Sequence, residues 1–296
     1  MKTCLVVGSL NMDYTLYLSR FPIDGETIFG KKRYIQPGGK GANQAAALGK
    51  SSLVNSIMLG AVGNDNDGLT IKDIINECHV NSAIITKTNV ETGNATIVVN
   101  DNSENKIVII AGANGELNIE DIDLSLIDKS DYIILQNEIK QEVNEFVINE
   151  AYKRHKIIIY NPAPYREIEE KTLLKVDYFI PNEVELSLYS NSNNVMDGVD
   201  SLLSKGIKNV IVTLGKDGSM LKNKDELIKV PARLVKAVDT VAAGDTFVGY
   251  FVAGIASSLN HKEALELATK ASSITVSRKG SIVSIPTLKE IYEKYN

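Results

Sequence analysis

The segment Asp239-Thr-Val-Ala-Ala-Gly-Asp245-Thr-Phe247 sets a carboxylate directly after Ala242, Ala243 and Gly244, and an apolar run from Phe247 to Ala256 begins two residues later. That run is rich in Ala and Gly and too short to cross a bilayer, so it reads as a buried helix. The first amides of a helix have no internal partner and carry the positive end of its dipole. They make an anion site, most often for phosphate. Asp245 falls in the same first turn, and a base beside an anion hole suits phosphoryl transfer to a hydroxyl. A first-turn Asp also favours any helix start on dipole grounds alone, so the other motifs carry weight.

Pro37-Gly38-Gly39-Lys40-Gly41-Ala42-Asn43-Gln44 leads glycines into an alanine-rich helix, which permits close backbone approach and puts Lys40 and Asn43 near its first turn. It matches neither the Walker A loop nor the dinucleotide fingerprint. Gly8-Ser9-Leu10-Asn11-Met12-Asp13 follows the first strand, where Asn11 and Asp13 are placed to meet a ligand and to bond vicinal hydroxyls; a simple Asx turn reads the same way. Glu138 lies after another strand. Asn182-Glu183-Val184-Glu185 has the spacing to orient metal-bound waters around phosphates, and equally that of a capping box. Thr213-Leu214-Gly215-Lys216-Asp217-Gly218 ends a strand in a flexible turn suited to a nucleotide, or to a hairpin.

These residues need a scaffold. Leu5-Val7, Tyr132-Leu135, Ile157-Tyr160, Tyr178-Ile180 and Val210-Leu214 read as strands buried on both faces. Helical patterns at Ala42-Lys50, Gly68-Cys78, Gln141-Arg154 and Val195-Lys205 lie between them, and the alternation predicts a mostly parallel α/β sheet. Tyr14-Tyr34 and Thr92-Ala111 break the alternation. The second reads as a hairpin turning at Asp101-Asn105, and together they predict a small β lid or an antiparallel extension of the main sheet. Asn260-x-x-Glu263 predicts a capping box that opens a helix running to Lys279 and stopped by Gly280, with a last helix after Pro286-Thr287.

The chain has 296 residues, 44% hydrophobic and 23% charged, as in ordinary globular proteins. A net charge of −5 argues against nucleic-acid and anionic-membrane partners. Cys4 and Cys78 have no metal-knuckle or disulfide spacing, and His79, His155 and His261 show no ligand spacing. The N-terminus is too short for a signal-peptide core, and the expected location is the cytoplasm.

Together these segments resemble the PfkB-type carbohydrate kinase family. Gly-Gly-x-Gly-x-Asn, from Gly38 to Asn43, and Asp-Thr-x-Ala-Ala-Gly-Asp, from Asp239 to Asp245, match its two signatures, and the resemblance runs from Gly8 to Pro286. Gly-Lys-Gly-Ala-Asn-Gln, Asn161-Pro162-Ala163-Pro164 and Arg278-Lys279-Gly280 point to its ribokinase branch. The resemblance implies a Rossmann-like three-layer α/β/α fold, a single domain over residues 1–296. It also implies a β lid at roughly 14–35 and 92–111 that makes a homodimer contact. It implies transfer of the ATP γ-phosphoryl group to O5 of D-ribose. By position, Asn11, Asp13, Gly39, Lys40, Asn43 and Glu138 would hold the sugar, with Asp245 as base and Ala242, Ala243 and Gly244 as anion hole.

The same resemblance assigns the ATP site to Asn182, the turn Thr213, Leu214, Gly215, Lys216, Asp217 and Gly218, Gly244 and Thr269. It assigns Mg²⁺ to Glu185, and K⁺ to the neighbourhood of Asp239, Val241, Thr275, Arg278, Gly280 and Ser284. Four places depart from the pattern: Val248, Asn137, Thr269 and Ser281-Ile282-Val283. Competing readings are a related kinase for deoxyribose, fructose, a nucleoside or pseudouridine, and a sugar-sensing protein without catalysis. Asn11, Asp13 and Asn43 favour a small polyhydroxylated acceptor over a nucleoside, whose base needs a stacking wall.

Overall fold

The structure is a computed structural model in which every residue except Ser103 and Asn296 is described, Asn105 by its backbone alone. In chain order the first strands are β1 (Thr3–Val7), β2 (Asn11–Tyr17), β3 (Lys32–Gly38), β4 (Asn55–Gly63), β5 (Val80–Lys87), β6 (Gly93–Val99) and β7 (Asn105–Ile110). They are followed by β8 (Tyr132–Gln136), β9 (Ile157–Asn161), β10 (Tyr178–Phe179), β11 (Asn209–Thr213), β12 (Ser219–Asn223) and β13 (Leu227–Val230). The helices are α1 (Lys40–Ser51), α2 (Asn66–Glu77), α3 (Leu124–Lys129), α4 (Gln141–Lys153) and α5 (Glu170–Leu173). In the second half they are α6 (Glu183–Ser190), α7 (Val195–Ser204), α8 (Ala243–Ala256), α9 (His261–Thr275) and α10 (Leu288–Tyr295).

Nine strands form one sheet in the order β13-β12-β11-β10-β9-β8-β1-β4-β5. All its pairings are parallel except β11 with β12 and β12 with β13. Strand alternation divides the core between its faces: Cys4, Val6, Ile134 and Ile159 pack with α1, α8 and α9, whereas Leu5, Val7, Ile133 and Tyr160 pack with α4, α6 and α7. The result is three layers, helices on both faces of a mostly parallel sheet, as expected from the runs of continuous apolar residues. Each fully buried Leu, Ile or Phe in these faces contributes about 1.5–3 kcal/mol.

The segments that broke the alternation form a separate four-stranded sheet, β3-β2-β6-β7, so the reading as an extension of the main sheet does not hold. This sheet is also wider than predicted, because β2 starts at Asn11 and β3 ends at Gly38. Of the predicted hairpin turn, Ser103 lies outside the described residues.

Helix α8 begins where predicted and buries eleven residues. It crosses α1 closely because Gly249 has no side chain: a Cβ there would come within 2.5 Å of Ala47 Cβ and 2.9 Å of the Gln44 carbonyl. One turn towards the N-termini of both helices, the same approach brings Asn43 and Gln44 against Asp245. The Asn260–Glu263 capping box is present, but α9 ends at Thr275 rather than running to Lys279. The carbonyl of Val276 is taken by the amides of Val238 and Asp239, which turns the chain out of the helix.

Candidate active site

A cleft of about 400 Å³ opens between the small sheet and the carboxyl ends of the main strands. The small sheet contributes Asn11 and Asp13 from one face of β2, so these residues stand on a strand rather than in a turn after β1. Asn114 fixes Asn11: its Nδ2 donates to Asn11 Oδ1 at 2.8 Å and to the Leu10 carbonyl at 3.0 Å, and its Oδ1 accepts from Leu10 N at 2.9 Å. Asp13 is pushed up to about 7 by burial first, then by the neighbouring charges of Glu138 and Asp245.

The Gly-rich turn holds the opposite wall. Gly39 has φ 91°, and a Cβ there would press within 2.9 Å of Asn11 N, so only glycine allows the turn to lie this close to the sheet. Glu138 supplies the cap that Gly39 lacks: its Oε2 accepts from Lys40 N at 2.9 Å and from Ser9 Oγ at 2.6 Å. The half-buried Lys40 ammonium is pulled down by burial, but Asp245, Glu138 and Glu185 together hold it above its ordinary value, so it stays charged.

Asp245 is buried at the start of α8, with Asn43 Nδ2 donating to Oδ2 at 2.9 Å and Gln44 Nε2 donating to Oδ1 at 3.0 Å. Burial raises its proton affinity, while Lys40 and the two amides act the other way. Ala242 adopts a left-handed conformation, φ 60°, as the N-cap, and Gly244 in the first turn faces open space. In that first turn Ala243 N donates to the Thr240 carbonyl at 3.3 Å, while the amides of Gly244 and Asp245 have no acceptor inside the helix, which leaves these two available to an anion beside the carboxylate.

On the far side Asn182 and Glu185 form the reciprocal capping box of α6, with Asn182 N to Glu185 Oε2 at 2.9 Å and Glu185 N to Asn182 Oδ1 at 2.8 Å. Both still line the cleft with Thr213 and Val241. Glu185 is raised by burial, and the charge of Lys40 works against that rise. The predicted nucleotide turn departs from the cleft after Thr213: Leu214 N bonds the Gly218 carbonyl at 2.8 Å, and Gly215 to Asp217 make one 3₁₀ turn.

The model of the pfkB family carbohydrate kinases matches residues 1–288. The chain belongs to this family. It is similar to the ribokinase of Lactococcus lactis, 37% identical over 293 residues that cover 98% of this chain and 95% of that one. It is similar to the deoxyribokinase of Salmonella typhimurium, also 37% identical, with 97% of each chain covered. A solved structure of Arabidopsis thaliana ribokinase complexed with ribose and ATP superposes with a TM-score of 0.92 at 30% identity, covering 99% of this chain and 98% of that one.

In this pfkB-family chain, of the six predicted cation positions only Val241 lines the cleft. Asp239 joins two of the others, accepting from Val241 N at 3.0 Å and from Gly280 N at 3.1 Å. The Arg278 guanidinium, which has no acceptor to offer a cation, donates to Glu290 at 2.6 Å, so only the backbone carbonyl of Arg278 could serve one. Thr275 Oγ1 lies 3.0 Å from Thr246 Oγ1, and Ser284 Oγ donates to the Ser281 carbonyl at 2.7 Å. Thr269 is buried on α9, away from the lining of the cleft, and its hydroxyl has no partner among the described residues.

Asn114, Asn161, Gln136 and Gln44 also shape the site; Gln44 and Asn161 stand in motifs read from the sequence but were given no role there, and Asn114 and Gln136 were not singled out. Gln44 stands next to Asn43 and had a signal in that adjacency. Asn114 is 103 residues from Asn11 and had none.

Proposed function

We propose that the protein transfers the γ-phosphoryl group of ATP to O5 of D-ribose, giving D-ribose 5-phosphate and ADP. The observation that carries this reading is Asp245, a buried carboxylate held by two amides at the open N-terminus of α8 and facing a polar cleft. Asn11, Asp13, Gly39, Lys40, Asn43 and Glu138 hold the sugar and present its primary hydroxyl. Asp245 takes the O5 proton as the O5–Pγ bond forms and the bond from Pγ to the bridging oxygen of ADP breaks. The amides from Ala242 to Gly244, with Lys40, balance the charge on the transferring group.

On the ATP side Asn182, Thr213 and Gly244 line the cleft, and the rest of the turn to Gly218 and Thr269, which lie outside that lining, would meet the nucleotide beyond it. Glu185 suits Mg²⁺, since a buried carboxylate with raised proton affinity is eased by a nearby cation. The oxygen-rich segments carrying Asp239, Val241, Thr275, Arg278, Gly280 and Ser284 suit K⁺. Mg²⁺ supplies charge neutralisation on the phosphates, and K⁺ a fixed positive field beside the anion hole.

Residues 1–296 act as a single domain whose small sheet is a lid: Ala95, Ile97, Ile107 and Ile109 face the cleft and shut out water, which otherwise competes as acceptor. A homodimer through this lid is part of the same reading, as is a cytoplasmic location. No described helix is long and apolar enough to cross a membrane.

A second acceptor, 2-deoxyribose, is favoured by the equal identity to the Salmonella enzyme. The test is ADP release from MgATP with ribose, 2-deoxyribose, fructose and a nucleoside, in potassium and in sodium buffer. Ribose-dependent ADP that rises with potassium supports the reading in full. Faster turnover of 2-deoxyribose reassigns the acceptor. Sugar binding without ADP release from any acceptor overturns the kinase reading in favour of a sensor.

A further inference from the structure

We infer that Gln44 is a positioning residue that holds Asp245 in one orientation through a directional amide chain running from Gln136 through Gln44 to the carboxylate. The inference rests on the proposed role of Asp245 as base.

Gln44 is fully buried on α1 and does not line the cleft. Its Nε2 donates to Asp245 Oδ1 at 3.0 Å and to Asn161 Oδ1 at 3.1 Å, and its Oε1 accepts from Gln136 Nε2 at 2.7 Å. Asn161 is fixed in turn, donating through Nδ2 to the Ile180 carbonyl at 2.8 Å. An ionised carboxylate only accepts, so Gln44 must turn its amino group to Asp245. Its carbonyl must then face Gln136, and Gln136 must answer with its own amino group.

This polarity leaves an orphan. Gln136 Oε1 is buried with no partner among the described residues, pressed against Gly8, where any Cβ would collide with it. A buried amide oxygen without a donor is costly. The cost is sustained at the far end of the chain, two side chains from the carboxylate, so that both oxygens of Asp245 keep a donor. Asn43 alone would pin Oδ2 and leave the carboxylate free to rotate. The second amide fixes its plane, and with it the lone pair offered to the acceptor hydroxyl. It also favours the ionised form against the burial that opposes it.

The test compares Gln44→Met and Gln136→Met with the wild type in kcat, ribose KM and the pH profile of kcat/KM. Gln44→Met is expected to lower kcat by up to about 10²-fold, the scale of a small misplacement of a reacting group, with little change in ribose KM. The acid limb of its profile is expected to move to higher pH, since removing a donor disfavours the carboxylate. Gln136→Met, which frees Gln44 to flip, is expected to move the limb the same way by less. A folded Gln44→Met with wild-type kcat and an unmoved acid limb overturns the inference. If Gln44→Met does not fold, an unmoved limb in Gln136→Met overturns it. Asp245→Asn separates the two levels: near-normal turnover there removes the base itself, whereas with an inactive Asp245→Asn the pH profiles alone decide the role of Gln44.

Discussion

Asp13 and Asp245 are both buried carboxylates that line one cleft, and burial raises the proton affinity of each. For Asp13 the value reaches about 7, so between the ordinary carboxylate range and that pH the folded chain holds a proton that the unfolded chain has released. Stability therefore falls as pH rises through this window and stays lowered above it. Asp13→Asn is expected to raise the melting temperature of the ligand-free protein, by more at pH 8 than at pH 4, and to weaken ribose binding. Thermal melts at the two pH values check the sign, and an equal gain at both would mean that Asp13 is not the group responsible. Asp245→Asn is expected to keep ribose binding and lose about 10²–10⁴-fold in turnover, the contribution of a general base. Single-turnover ADP formation with ribose binding measured in parallel decides it.

At the scale of elements, α1 and α8 were readable because the chemistry and the packing use the same residues: the glycines and alanines that open the backbone at Gly38–Gly41 and Ala242–Gly244 also mark the helix starts. Strand β4 was harder to read, because Gly60 interrupts its apolar run; a Cβ there would come within 2.5 Å of the Gly8 carbonyl, a constraint set by a neighbouring strand. The end of α9 was misread for a similar reason, since Val276 is drawn out by amides nearly forty residues upstream in the chain. Local pattern marks where an element begins; distant partners often decide where it ends. Lys50 is another such partner. At the end of α1 its Nζ donates to the carbonyls of Ile282 at 2.6 Å and Ile285 at 2.9 Å, and burial lowers its proton affinity. That ammonium anchors the segment after Gly280, whose amide is bonded to Asp239. Lys50→Met is expected to destabilise the fold by about 1–3 kcal/mol, the cost of leaving the Ile285 carbonyl without a donor while the Ile282 carbonyl keeps the Ile285 amide, and, on the proposed potassium site, to raise the potassium concentration needed for half-maximal activity. A melting curve with a potassium titration tests both, and an unchanged requirement would separate Lys50 from the proposed potassium site.

On the scale of the whole molecule, the small sheet has more apolar surface than one cleft can use. Ile107, Val108, Ile109 and Ile110 on its edge strand β7 are each more than half exposed. Alternation sends Ile107 and Ile109 to the cleft, and Val108 and Ile110 to the opposite face. A bound sugar and a closing lid can cover the first pair. Nothing among the described residues covers the second pair, and an apolar edge strand without cover invites pairing with another chain. A second copy of the same sheet is the occupant that the dimer reading requires. Val108→Glu puts a charge on that outer face and leaves every cleft residue in place. It is expected to convert a dimer to a monomer at micromolar concentration in light scattering, and to raise ribose KM, because a lid braced by its partner closes at smaller entropic cost. A wild type that is already monomeric at that concentration would overturn the dimer. A monomeric Val108→Glu with unchanged ribose KM would keep the dimer and detach it from lid closure.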